Sequence, residues 1–228
     1  PSPLPASPRT GIAPISARYD LEVNVSEDGE NWGYKAGPSD AMKQEIGQVV
    51  INHALCDPAL YALFYALSGI NESTAKIMVR ALKLKSSGLI DLIKAFKKEQ
   101  DSRLHPELSK RIAECLSTYD QLSKARHLIA HWQWSLSPSG ENTASTSNFL
   151  GMNHGDSAAD RYHTLGSLKA TSWGLMQVNI LLTLIASFVV GTIPETYIEM
   201  ALSGVDEVLV KTRAALLEIP DVSAVELP

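Results

Sequence analysis

Over most of the chain, apolar residues return every third or fourth position, the spacing of helices that bury one face. Ser39-Asp40 reads as the cap of a first helix through Ile46, Val49, Val50 and His53, with a kink or restart expected at Asp57-Pro58. Leu60, Leu63, Phe64 and Leu67 continue its stripe until Gly69. A second helical stretch starts at Asn71 or Ser73 and runs to 99, with a break expected at Ser86-Ser87-Gly88. Pro106 opens a third helix, 106–131, whose Ile112, Cys115, Leu116, Tyr119, Leu122 and Ile129 form the clearest amphipathic pattern of the chain. Helical character returns over 167–190 and again over 195–217.

Other segments lack this period. Residues 135–160, rich in Ser, Gly, Asn, Thr and Asp, read as a long exposed loop, with Arg161–Thr164 expected to pair across it with Trp132–Ser135. Near the start, five prolines precede an alternation of Leu21, Val23 and Val25. The predicted fold class is therefore all-α, an antiparallel helical bundle of four to five long helices. Residues 1–38 form a proline-rich, acidic, partly ordered strand-like arm. Residues 39–220 form the bundle domain with a loop insertion at 135–166, and 221–228 a tail.

Composition narrows the function classes. A net charge of −5 and a pI near 5.7 disfavour a protein that binds nucleic acid through overall charge. Charge is nevertheless segregated. Between Glu72 and Glu99 lie seven basic residues, Lys76, Arg80, Lys83, Lys85, Lys94, Lys97 and Lys98, against three acidic ones. That strip reads either as a solvated helix surface or as a face for RNA or an acidic partner. Cys56 and Cys115 both fall inside apolar patterns, as reduced core cysteines of a cytoplasmic protein do. The stretch 170–194 has no Asp, Glu, Lys or Arg and is long enough to span a bilayer. Gln177, Asn179, Thr183 and Ser187 within it favour a buried core helix, and no membrane association is expected.

The candidate chemistry sits at the end of the third helix. On a wheel of about 100° per residue, Arg126 falls in the middle of the apolar stripe, with His127 and His131 together on its flank. A charge there demands an anionic partner. Either it bridges to Glu45, Asp57 or Asp91 with His131 at the helix C-terminus, or it meets a phosphate. Beside a histidine that moves protons near neutrality, arginine suits metal-independent attack of a ribose 2′-hydroxyl on its own phosphodiester. His127 and His131 also share a face, as zinc ligands do, with His53, His154 or His163 as a third; no metal and no cofactor is expected from their spacing. Trp132 and Trp134 follow, placed either to stack on bases or to pack the bundle end.

The segment Leu122–Trp132, with Arg126, His127 and His131 in its arginine, polar and histidine positions, resembles the signature of the HEPN (higher eukaryotes and prokaryotes nucleotide-binding) domains. The helix layout of 40–190 is also similar. The resemblance implies a homodimeric ribonuclease of toxin or antiphage type, with an antitoxin or regulatory protein as partner. Arg126 and His131 would be its catalytic pair and His127 a positioning residue, with RNA held by Lys76, Arg80, Lys83, Lys85 and Trp132. Some members bind without cleaving. This chain departs from the pattern in having His127 where asparagine is frequent, a long insertion after the motif, and the N-terminal arm. The other reading is a non-catalytic dimeric interaction protein in which Arg126 and His131 hold the bundle together.

Overall fold

The computed structural model describes residues 37–136, 142–147 and 161–201, together with 204, 207, 210 and 211. All belong to the unit Ala36–Pro228. The arm expected at 1–38, apart from its last two residues, and the tail at 221–228 lie outside them, as does His154.

Among the described residues the fold is carried by α1 Asp40–Ser68, α2 Glu72–Ala81, α3 Ser86–Gln100, α4 Pro106–His131 and α5 Leu165–Val190, with helical residues again from 198. The protein is mostly helical, with one small sheet. The Ser39 hydroxyl accepts from the Met42 amide to start α1, and Gly69, at φ 65°, ends it in a left-handed turn. Of the kink or restart expected at Asp57-Pro58, the restart does not occur: α1 is continuous through Pro58. Ala54, whose carbonyl loses its helical partner to the proline, lies with Pro58 on the exposed side, where water can take its place. The second expected break is displaced. The chain turns at Leu82–Lys85, with Lys83 at φ 49°, and Ser86, Ser87 and Gly88 form the first turn of α3. Ser86 is tied there by its hydroxyl, which donates to Asp57 Oδ1 at 2.6 Å. Pro106 opens α4 as expected, and a Thr164–Ser167 capping box opens α5.

The helices do not simply alternate in direction. The buried Asn52 amide donates to the Ser172 carbonyl and Oγ at 2.9 and 3.1 Å, and the Cys56 thiol reaches the Leu175 carbonyl at 3.4 Å. These contacts climb both chains in step, so α1 and α5 run in the same direction. α3 also runs with α1, from Ser86 beside Asp57 to Phe96 against Phe64 at a ring separation of 6.0 Å. α4 runs against them, since its Ser123 lies beside His53 while its Cys115, further back, reaches Val178. The core fills the space between α1, α4 and α5 with residues such as Leu60, Leu63, Ile112, Leu116, Leu122, Leu168, Val178 and Leu182. Cys56 and Cys115 are buried there as free thiols. Burial above all raises both thiol pKa values, that of Cys56 to about 12.

Beyond α4 the chain forms an antiparallel sheet of β1 Gln133–Leu136, β2 Thr143–Ser147 and β3 Arg161–Thr164, in the order β1-β2-β3. Strands occur at both expected places, but they do not pair with each other. Thr143-Ala-Ser-Thr-Ser lies between them, with Trp134 opposite Thr146 and Ala144 opposite His163. Its threonines favour extended backbone, and paired on both edges it buries Ala144, Ser145 and Thr146.

Candidate active site

Helix α4 brings Arg126 to the groove beside α1, on the stripe where the wheel puts it. The guanidinium Nη1 donates to His131 Nε2 at 3.1 Å. Arginine has no acceptor, so this hydrogen bond requires the His131 Nε2 lone pair as its acceptor. The His127 ring lies 4.9 Å from that of His131, centroid to centroid, tilted by 50°. The three motif residues therefore form one group at the C-terminal turn of α4, with His127 and His131 exposed and Arg126 half-buried.

None of the expected carboxylates pairs with Arg126. Among the described residues no Asp or Glu, and so neither Glu45, Asp57 nor Asp91, comes within ion-pair distance of it. Its Nε is buried and has no hydrogen-bond partner. A guanidinium carried on an apolar stripe and left without a counter-charge is costly unless an anion completes it.

A second polar group, absent from the motif, backs this site. His53 Nε2 lies 3.0 Å from Ser123 Oγ and 3.2 Å from the Tyr119 hydroxyl, and the His53 and Tyr119 rings stack at 5.6 Å. Burial, and after it the charge of Arg126, lowers the pKa of His53; Asp57 opposes them. Burial raises that of Tyr119, whose hydroxyl also meets Ser86. A polar chain thus runs Asp57, Ser86, Tyr119, His53, Ser123, ending three residues before Arg126. His53 and Tyr119 both sit on apolar stripes, and no spacing rule links residues so far apart in the chain. The one available signal was a histidine in the buried half of α1.

The remaining candidates are dispersed. Lys76, Arg80, Lys83 and Lys85 are exposed on α2 and the turn into α3, and Lys76 pairs with Glu72 at 2.7 Å. Of these, Lys85 is nearest the polar chain, being next to Ser86. Lys94, Lys97 and Lys98 line a separate groove of about 430 Å³ between α3 and α4 with Asp101, Leu116, Ser117 and Asp120. Trp132 is the half-buried C-cap of α4. Trp134 packs the bundle end: its indole donates to the Ile129 carbonyl at 2.9 Å and its ring meets His163 at 5.0 Å. His163 is buried on Thr146 and belongs to the sheet, away from the motif. Among the described residues no group of three His, Cys, Asp or Glu is placed to hold a metal ion.

Outside this groove, α1 and α5 present an apolar surface. Ile51 and Leu55 on α1 are 56% and 48% exposed; Trp173, Met176 and Ile180 on α5 are 36%, 38% and 51% exposed. Since α1 and α5 are parallel and touch at Asn52–Ser172 and Cys56–Leu175, these five lie on the side of the pair facing away from α4. Both helices are also long and apolar enough to cross a membrane by length and composition.

No family model matches the chain, and neither does any curated protein or any solved structure.

Proposed function

We propose that this chain is a HEPN-like helical protein that cleaves RNA without a metal, using Arg126 and His131. The observation that carries the reading is the Arg126 guanidinium, half-buried, with no carboxylate beside it and with His131 Nε2 at 3.1 Å. A phosphodiester entering this site takes over the guanidinium and so releases the His131 lone pair. His131 then accepts the 2′-hydroxyl proton as the 2′ oxygen bonds to phosphorus. The bond to the 5′ oxygen breaks, that oxygen takes a proton from water, the hydroxide so formed takes the proton held by His131, and a 2′,3′-cyclic phosphate remains. Arg126 holds the charge that builds on phosphorus, and His127 packs against the His131 ring to fix its angle. Lys76, Arg80, Lys83, Lys85 and Trp132 are the proposed path for RNA beyond the reacting phosphate. The setting we propose is cytoplasmic, in a toxin or antiphage system with an antitoxin or regulatory partner.

The test is incubation of purified protein with mixed RNA in chelator, beside Arg126→Ala and His131→Ala. Cleavage to cyclic-phosphate ends by the natural sequence alone supports the reading. Equal cleavage by all three, or none by the natural sequence, rejects it.

A second reading, a dimeric interaction protein, draws on the apolar face of Ile51, Leu55, Trp173, Met176 and Ile180. Exposed apolar surface of this kind marks association sites. A homodimer through this face is compatible with either reading.

A further inference from the structure

We propose that Ser123 is a second anion-binding donor of the Arg126 site, aimed by His53, so that one phosphate group is held by the guanidinium and the serine hydroxyl together. The inference rests on the reading of Arg126 as a phosphate ligand and adds to it a donor that the motif lacks.

Ser123 precedes Arg126 by three residues, which makes the two neighbours along one side of α4. Hydroxyl residues inside helices usually donate back to the carbonyl four residues earlier. Thr118, Thr171, Thr183 and Ser187 all do so here, at 2.9 Å. Ser123 does not. Its contact is with His53 Nε2 across the groove, at 3.0 Å, and the same nitrogen faces the Tyr119 hydroxyl at 3.2 Å.

The groups that face His53 are Asp57 from its own helix and Tyr119, Ser123 and Arg126 from α4, with Ser86 of α3 behind Tyr119. Burial and the Arg126 charge, against Asp57, favour the neutral imidazole with one ring hydrogen. Placed on Nε2, that hydrogen is donated toward the two hydroxyl oxygens. Ser123 Oγ then acts as acceptor toward His53, and its own hydrogen, shared with the Tyr119 hydroxyl, can turn to a stronger, charged acceptor on the side where the Arg126 charge reaches His53. A phosphate oxygen is the acceptor that satisfies both. Two donors on one helical turn favour a tetrahedral oxyanion over a planar carboxylate bound by the fork of Arg126 alone.

The experiment is an NMR titration of the full chain with inorganic phosphate and with a nucleoside 3′-monophosphate, following the Arg126 Nε–H and the His53 ring. Variants are Ser123→Ala, Ser123→Thr, His53→Gln and His53→Leu, with Arg126→Ala as control and melting curves for each. Ser123→Ala is expected to weaken binding by about tenfold, the worth of one hydrogen bond to a charged group. Ser123→Thr and His53→Gln, which keep a hydroxyl and a side-chain N–H, should restore most of it, whereas His53→Leu should match Ser123→Ala. The His53 ring should shift on titration in the natural sequence and remain still in Ser123→Ala. Loss of binding in Arg126→Ala with Ser123→Ala unchanged overturns the role of Ser123 and leaves that of Arg126. No phosphate response in the natural sequence overturns both.

Discussion

Arg126 and His131 are joined by a hydrogen bond of 3.1 Å in which the guanidinium must be the donor and the imidazole nitrogen the acceptor. That bond engages one N–H of the guanidinium and the Nε2 lone pair of His131, and it leaves the buried Arg126 Nε without a partner.

Stability and activity should part at this pair. Arg126→Met should lower cleavage by about 10²–10³-fold, as loss of one electrostatic stabiliser does. Its melting temperature should stay level or rise, since methionine suits the apolar stripe and leaves no orphaned Nε. A marked fall in melting temperature, read by circular dichroism, would show that Arg126 holds the bundle together.

Acid should weaken the sheet through His163. Burial, with a smaller contribution from Arg161, lowers its pKa from 6.5 to about 4. The unfolded chain therefore binds the proton first, and stability is lost as pH falls from about 6.5 toward 4, then levels off. The loss over that window is about 3 kcal/mol at most. Urea unfolding at pH 7 and pH 4.5 should show it, and His163→Gln should flatten the difference. An equal slope in both forms would place the acid sensitivity elsewhere.

Asn52→Ala should cost about 1–3 kcal/mol, because the amide is buried and ties Ser172 to Gln48 across the α1–α5 seam. Equilibrium denaturation measures this. A cost near zero would mean that water replaces the amide.

The apolar face predicts assembly. Light scattering of the natural chain should give a dimer mass, and Leu55→Asp with Met176→Asp a monomer, at little cost to melting temperature. Because that face points away from α4, cleavage per chain should persist in the monomer. Loss of cleavage with the dimer would instead indicate a site shared between copies.

Helices were legible in the sequence wherever apolar spacing was uninterrupted, as in α4 and α5. Pro58 left kink and restart both open, because a proline tells what a backbone loses but not whether water is at hand to replace it. The middle strand was hidden because Thr143-Ala-Ser-Thr-Ser has the composition of a loop and turns into a strand only with partners on both sides. At the site, Arg126, His127 and His131 were legible because one helix carries all three. His53 and Ser123 come together across 70 positions, and only packing makes that pair.

The parallel seam of α1 and α5 bears on how the chain folds. Its closing contact joins residues 120 positions apart. Emerging from the ribosome, α1 waits for its main packing partner until nearly the whole domain has been made. Loop closure over that distance slows folding, and the waiting helix exposes its apolar side to other nascent chains. A chain truncated before Leu165 would therefore be held by chaperones or aggregate, and refolding from denaturant should be slower than for a bundle of hairpin-linked helices of this length.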